Sequence, residues 1–156
     1  MNSKYLIVLV LVTTIFLGCL NPGYPDILYK EYNVVKIQNT TIDGKNVIIV
    51  YQMINKLNPK IIPGNLDIDT KYKILMITYY VFKNTNADEV QIICYYNNSG
   101  NPIVYYKFKI DRRDAKLVGL LDMSKDEIAT ATLYLFDRAE KLGSLWVNDK
   151  IQYQVR

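Results

Sequence analysis

Histidine is missing from the 156-residue chain, and cysteine occurs only twice. The chain therefore excludes a Ser-His-Asp triad, a Cys-His catalytic pair and any histidine-ligated metal site. The seven glycines form no Gly-x-Gly-x-x-Gly motif, which excludes that type of phosphate-binding loop. The net charge of +4 is spread evenly, and without a basic stripe nucleic-acid binding is not supported. We predict no bound metal and no cofactor.

The composition is that of a protein with a hydrophobic core. Hydrophobic residues make up 50% of the chain, charged residues 22% and aromatic residues 12%. These values exclude a disordered tail, a collagen-like repeat and a polytopic membrane protein, and they predict one globular domain. A/T-rich codons explain the 14 tyrosines. We therefore do not interpret them as a ligand-stacking surface, because aromatic rings also suit half-buried strands.

The amino terminus has the pattern of a secretory signal. Lys4 is the only charged residue before Asp26, and a largely apolar run follows it over residues 5–17. A short positive region, an apolar run and a small residue are typical of a cleaved signal peptide. As a helix the run would span roughly 20 Å, less than the ~30 Å hydrocarbon core of a bilayer. An uncleaved membrane anchor over residues 5–20 is the alternative.

The segment Ile15-Phe16-Leu17-Gly18-Cys19 resembles the lipobox of prokaryotic lipoproteins. The resemblance implies that residues 1–18 are a signal peptide, cut between Gly18 and Cys19, and that lipid is attached to the Cys19 thiol. It also implies a place on the outer face of the cell membrane, with membrane lipid as a partner through Cys19. In the alternative interpretation Cys19 is incidental to an ordinary signal peptide or anchor.

Turn-forming residues follow the signal region. The segment 19–28 contains Pro22, Gly23 and Pro25, and we interpret it as a tether that reaches at most ~30 Å when fully extended. Residues 29–156 are predicted to form the single globular domain.

Two hairpins are predicted in this domain. The strand-like segments 34–38 and 47–51 flank Asp43-Gly44, a sequence typical of a tight hairpin turn. The segments 90–96 and 103–110 form the second hairpin. In its second strand, strict alternation places Tyr105, Lys107 and Lys109 on the solvent face.

Three helices and a last strand complete the predicted order. A helix capped by Asp69 or Thr70 runs to about Asn84, and Asp111 begins a short helix that ends near residue 120. Ser124 and Glu127 form a capping box, from which a helix runs to near Gly143. Residues 151–155 alternate as a strand. This order predicts an α+β two-layer sandwich, in which a mainly antiparallel sheet of about five strands in hairpins carries two to three helices on one face.

Cysteine and carboxylate residues are the next candidates. A buried strand position favours a packed core thiol for Cys94, and a disulfide with Cys19 is the alternative that would exclude lipidation. Asp67 and Asp69 are interpreted as helix caps. As a rival function, an extracytoplasmic hydrolase could use Asp67, Asp69 or Asp111 as acid and base.

Charged and modifiable residues give two further hypotheses. Arg112 and Arg113 stand at a predicted helix start, where they would form either a solvated helix end or an anion site. Asn39 and Asn97 fit the glycosylation acceptor pattern. With no catalytic constellation in the sequence, we favour a membrane-anchored, extracytoplasmic, non-enzymatic binding or accessory domain. The sequence identifies neither its ligand nor a partner protein.

Overall fold

The computed structural model describes residues 23–58 and 64–154. The described chain forms these elements in order: α1 (Asp26–Glu31), β1 (Val34–Ile42), β2 (Lys45–Ile54), α2 (Ile68–Asn84), β3 (Glu89–Asn98), β4 (Asn101–Asp111), α3 (Arg112–Val118), a 3-10 turn (Leu120–Asp122), α4 (Lys125–Thr130), α5 (Thr132–Leu142), β5 (Ser144–Val147) and a 3-10 helix (Asp149–Gln154). No helix within the described ranges is both long and apolar enough to cross a bilayer.

The five strands form one sheet in the order β1-β2-β3-β4-β5. β2 and β3 are parallel, and the other neighbouring pairs are antiparallel. The predicted α+β class with a mainly antiparallel sheet is therefore confirmed. As in the predicted order of elements, α2 joins β2 to β3, and α3 to α5 join β4 to β5.

The hydrophobic core lies between one face of the sheet and the helices. Alternate strand residues such as Val50, Ile92 and Phe108 belong to the same buried cluster as Ile77 and Phe136 of the helices. The first hairpin turns at Asp43 and Gly44, whose φ angles of 50° and 76° are the positive values that such a turn requires.

α2 begins earlier than predicted, because Asp67 and not Asp69 or Thr70 is its N-cap. Asp67 accepts hydrogen bonds from the Thr70 main-chain nitrogen at 2.9 Å and from the Thr70 hydroxyl at 3.1 Å. The helix carries many β-branched and aromatic residues, which individually favour strands. Its segment 74–78 is nevertheless fully buried, so tertiary packing overrides local propensity.

The predicted capping box at Ser124 and Glu127 is confirmed. The single helix predicted after it is divided into α4 and α5 at Ala131, where φ is −100° and ψ is 15°. The Thr132 hydroxyl donates to the Ile128 carbonyl at 2.9 Å, a contact that commonly bends a helix.

The two ends of the described chain differ from the prediction. Residues 151–154 belong to a 3-10 helix, and the last strand is β5, which pairs with β4. At the amino end, residues 26–28 of the predicted tether lie in α1, and Ile27 and Leu28 are buried in the core. The folded domain therefore includes all of α1, although it was predicted to begin only at Tyr29.

Candidate functional site

The parallel pairing of β2 and β3 brings the carboxyl ends of both strands to one edge of the sheet, where Ile54 lies opposite Tyr96. Because α2 connects these strands, its first turn begins at the same edge. Ligands commonly bind just outside the carboxyl ends of parallel strands. A cavity of about 190 Å³ lies here, and the polar and sulfur-bearing part of its wall consists of Gln52, Lys56, Asn58, Asp67, Asp69, Thr70, Lys73, Cys94, Tyr105 and Tyr106.

Tyr105 reaches the cavity because β4 contains a β-bulge. Tyr106 and Val104 pair with consecutive residues of β3, so Tyr105 is the extra residue between them. The Asn148 main-chain nitrogen donates to the Tyr105 carbonyl at 2.8 Å. The bulge interrupts the alternation of β4, and the side chains of Tyr105 and Tyr106 both belong to the core cluster. The prediction that Tyr105 faces solvent was therefore wrong.

The Tyr105 hydroxyl is buried without a hydrogen-bond partner, alone among the buried side-chain nitrogen and oxygen atoms of the described residues. Burial raises the pKa of Tyr105, and the nearby Asp67 and Cys94 raise it further. The hydroxyl therefore keeps its proton and can donate it to a hydrogen bond. An unpaired buried hydroxyl costs about 1–3 kcal/mol, which a polar molecule in the cavity would relieve.

Tyr106 is fully hydrogen-bonded, in contrast to its neighbour. Its hydroxyl donates to Gln52 Oε1, and Gln52 Nε2 donates to the Tyr32 carbonyl at 2.7 Å. Gln52 is itself only 1% exposed. This chain of hydrogen bonds joins β4, β2 and the end of α1, and it fixes the back wall of the cavity.

The start of α2 supplies three of the four charged residues of the cavity wall, Asp67, Asp69 and Lys73. Lys73 Nζ lies 2.7 Å from Asp69 Oδ2, in an ion pair whose lysine side chain is 26% exposed. This contact uses one of the three hydrogens of the ammonium group. Asp67 adds a second carboxylate, which caps the helix. Lys56, in the chain segment after β2, is a second cation in the cavity wall. Two cations and two carboxylates suit a neutral or zwitterionic molecule better than a multivalent anion.

The prediction that Cys94 is a packed core thiol is confirmed, since the residue is 0% exposed. The thiol is free. Burial raises the pKa of Cys94 to about 12, although the Tyr106 hydroxyl and the Lys73 ammonium act in the opposite direction. At neutral pH the group is therefore a protonated thiol, and it contributes a weak donor and an apolar surface to the cavity.

We expect the folded protein to react with a thiol reagent at pH 8 roughly 10³-fold more slowly than the unfolded chain, because only the thiolate reacts. The measurement is made on Cys19→Ser, in which Cys94 is the only thiol. The contribution of this thiol to stability should be constant below pH about 8.5 and fall as the pH rises towards 12, because the unfolded chain loses this proton first. Rapid reaction of the folded protein at pH 8 would contradict the burial of the thiol.

Arg112 lies at the opposite edge of the sheet from the cavity. Its guanidinium donates to the carbonyls of Phe82 at 3.0 Å, Thr85 at 2.7 Å and Ala87 at 2.8 Å. The same group lies 4.8 Å from the centre of the Phe82 ring. These contacts engage all three guanidinium nitrogens and hold the end of α2 against the start of α3. Of the two arginines in the predicted anion site, Arg113 is left as the exposed cation, with an 80% exposed side chain.

Of the three carboxylates of the rival hydrolase hypothesis, only Asp67 and Asp69 are brought together, in the wall of the cavity. Asp111 caps α3 by accepting from the Asp114 main-chain nitrogen at 2.9 Å, and it pairs with Glu89 at the amino end of β3. Asp67 and Asp69 lie at the other end of the sheet, where Thr70 and Lys73 engage them. The predicted capping role of Asp67 is confirmed.

The remaining predicted residues lie elsewhere. Asn39 is exposed in the middle of β1. Asn97 precedes the turn between β3 and β4, where its Oδ1 accepts from the Gly100 nitrogen at 2.9 Å. Gly18 and Cys19 lie outside the described residues, as does the whole predicted signal peptide.

Sequence analysis identified Asp67 and Asp69 but missed other polar residues that line the cavity. Gln52 carried a usable signal, because it follows Ile48 and Val50 at the next core-facing position of β2. A glutamine in such a position needs a buried hydrogen-bond partner. Lys73, Tyr105 and Tyr106 carried no comparable signal.

Comparison with known proteins gives one similar sequence. The chain is 51% identical over 144 aligned residues to the uncharacterized protein MJ0415 of Methanocaldococcus jannaschii. The alignment covers 90% of this chain and 89% of that protein. No protein-family model and no solved structure matches the chain. The similarity therefore extends over most of the globular domain described above.

Proposed function

We propose, for a chain that belongs to the family of the uncharacterized protein MJ0415 of Methanocaldococcus jannaschii, that it is a lipid-anchored binding domain on the outer face of the cell membrane. In this proposal residues 1–18 are removed as a signal peptide and lipid is attached to Cys19. The cavity beside Tyr105 then binds a small polar molecule, and the domain acts as a non-enzymatic binding or accessory module.

The segment 15–19 supports the anchor. Two acyl chains bury enough methylene groups for stable attachment to a bilayer, where one chain gives only reversible binding. The described structure begins at Gly23, four residues after Cys19, and four extended residues span at most about 14 Å. A lipid on Cys19 would therefore hold the domain close to the bilayer surface.

The unpaired Tyr105 hydroxyl is the observation that carries the binding part of the proposal. Buried polar groups nearly always have a partner, and this one lies in the wall of a cavity beside Lys73, Thr70 and Asp67. A ligand with an acceptor oxygen would pair with the hydroxyl. Its other polar groups could contact the ammonium of Lys73 and the carboxylate of Asp69 near the opening.

Metabolic labelling with a lipid precursor tests the anchor. We expect the wild-type chain to incorporate the label and Cys19→Ser to incorporate none, because the thiol is the attachment atom. Cys94→Ser is the matched control and should be labelled as strongly as the wild type, since that thiol is buried. Equal labelling of wild type and Cys19→Ser, or labelling of neither, would end the proposal of a lipid anchor.

The intact mass of the membrane-extracted protein separates the alternatives. A mass equal to the chain from Cys19 plus lipid agrees with the proposal. A mass that still includes residues 1–18 would instead support the uncleaved anchor.

A further inference from the structure

The second face of the sheet is not covered by any helix of the described chain. The outward-facing hydrophobic residues of β2, β3 and β5 belong neither to the core cluster nor to the side chains packed against it. These residues, which we call the open face, are Ile49, Tyr51, Met53, Ile93, Tyr95 and Trp146. The first five are partly exposed and Trp146 is 49% exposed. An apolar surface of this kind usually marks an interaction site.

Lysines are interspersed with these residues in register. One row crosses all five strands in the order Lys36, Tyr51, Ile93, Lys107 and Trp146. Lys36 Nζ lies 5.4 Å from the centre of the Tyr51 ring, and Lys107 Nζ lies 5.8 Å from that of Trp146. The open face therefore combines aromatic rings with ammonium groups that lie close to them.

The charge of this face is positive. The next row carries Lys109 beside Gln91, and Lys36, Lys107 and Lys109 are all exposed. Alternation adds two acids to the same face, Glu89 and Asp111, which lie opposite each other. The Glu89 carboxylate accepts a hydrogen bond from Gln91 Nε2 at 2.7 Å, and Asp111 accepts one from the Asp114 main-chain nitrogen. Three lysines against two engaged carboxylates leave the face with a positive charge, which favours an anionic partner.

We infer that the open face docks on an anionic bilayer surface. The inference rests on the proposed lipid anchor, which supplies a membrane within reach. Tryptophan and tyrosine concentrate at membrane interfaces, because their rings have an apolar body and a polar edge. Lysines attract anionic headgroups, and their long stems lie along the apolar surface while the charge stays in water.

A second copy of this chain fits the face less well. Two open faces packed by a two-fold axis would bring Lys36, Lys107 and Lys109 of both copies together, and like charges oppose such contact. An anionic bilayer offers complementary charge and a deformable apolar layer at the same time. The docked orientation also turns the helix layer away from the bilayer.

Trp146 tests this inference directly, because it is the only tryptophan of the chain. The full-length protein is reconstituted into vesicles of phosphatidylcholine with brominated acyl chains, with or without about a third phosphatidylglycerol. Bromine quenches tryptophan fluorescence only at close approach. We expect the fluorescence of Trp146 to be quenched in the anionic vesicles and largely unquenched in neutral vesicles. It should also be largely unquenched in 1 M salt, because a Debye length of about 3 Å screens the attraction between lysines and headgroups.

A charge-matched pair of variants separates the open face from net charge. Lys36→Gln, Lys107→Gln and Lys109→Gln combined should reduce the equilibrium constant for docking by roughly fivefold per lysine, or about 100-fold in total. The matched control combines Lys30→Gln, Lys116→Gln and Lys141→Gln on exposed positions of α1, α3 and α5, and it should be quenched like the wild type. All six positions are exposed, so circular dichroism should show both variants folded.

Three results would overturn the inference. The first is an unquenched Trp146 in anionic vesicles to which the chain is demonstrably bound. The second is equal quenching in neutral and anionic vesicles, or equal loss in the two triple variants. The third is protection of Trp146 from aqueous acrylamide that increases with protein concentration, which identifies a second copy as the occupant. Quenching in a chain whose Cys19 takes no lipid label would remove the anchor but leave the docking surface intact.

Discussion

Arg112→Met is expected to lower the free energy of unfolding by about 3–4 kcal/mol, because it removes three charge-assisted hydrogen bonds at once. Helix α2 ends in carbonyls that have no partner within the helix. Arg112 satisfies the carbonyl of Phe82 in the last turn and those of Thr85 and Ala87 in the segment that follows the helix. Its positive charge also suits the carboxyl end of a helix. Methionine keeps the stem over the Phe82 ring but leaves these carbonyls without this donor.

Urea unfolding followed by circular dichroism measures this effect, with two variants for comparison. Arg112→Lys should recover at most about half of the loss, because one ammonium cannot reproduce the planar fork of a guanidinium. Arg113→Met should change stability by less than about 0.5 kcal/mol, since its exposed ion pair contributes little. Equal effects at the two arginines would contradict the contacts described for Arg112.

The contrast between these arginines illustrates what local sequence can predict. Their position at a helix start was predicted correctly, because Asp111 is a good N-cap and the signal lies within a few residues. Their roles were not predictable. Arg112 contacts residues 25 to 30 positions earlier in the chain, and such contacts depend on how α2 and β4 are placed in the folded sheet.

The predictions of helices and hairpins show the same contrast. Signals that lie within a few residues could be identified in the sequence, and contacts between distant residues could not. The turn at Asp43-Gly44 and the capping box at Ser124 are short-range signals, and both were predicted correctly. The pairing of β2 with β3 was not predicted as parallel, because it follows from the path of α2 across the sheet and not from the strand sequences. That pairing places the cavity, so the site could not be located from sequence.

The bulge at Tyr105 had the largest consequence for the site. Strict alternation predicts Tyr105 on the solvent face together with Lys107 and Lys109. One extra residue reverses that assignment for Tyr105 and leaves the lysines where they were predicted. The carbonyl of the bulged residue is held by Asn148, more than 40 positions later, so nothing near Tyr105 in the sequence marks the bulge.

Tyr105→Phe and Tyr106→Phe should therefore change stability in opposite directions, although the residues are neighbours and the chemical change is identical. Tyr105→Phe removes a buried hydroxyl that has no partner, and we expect it to raise the free energy of unfolding by about 1 kcal/mol. Tyr106→Phe breaks the hydrogen bond to Gln52 and leaves a buried amide oxygen unpaired. We expect it to lower the free energy of unfolding by about 2 kcal/mol.

Thermal unfolding of the ligand-free protein measures the difference, which corresponds to roughly 10 °C between the two variants. Cys94 and the rest of the cavity wall are unchanged in both, so each variant is the control for the other. A gain of stability in Tyr105→Phe would support the proposal that the hydroxyl is kept for a molecule that enters the cavity. A loss of stability in Tyr105→Phe comparable to that in Tyr106→Phe would show that the Tyr105 hydroxyl is already paired, and it would remove the main argument for a ligand at this site.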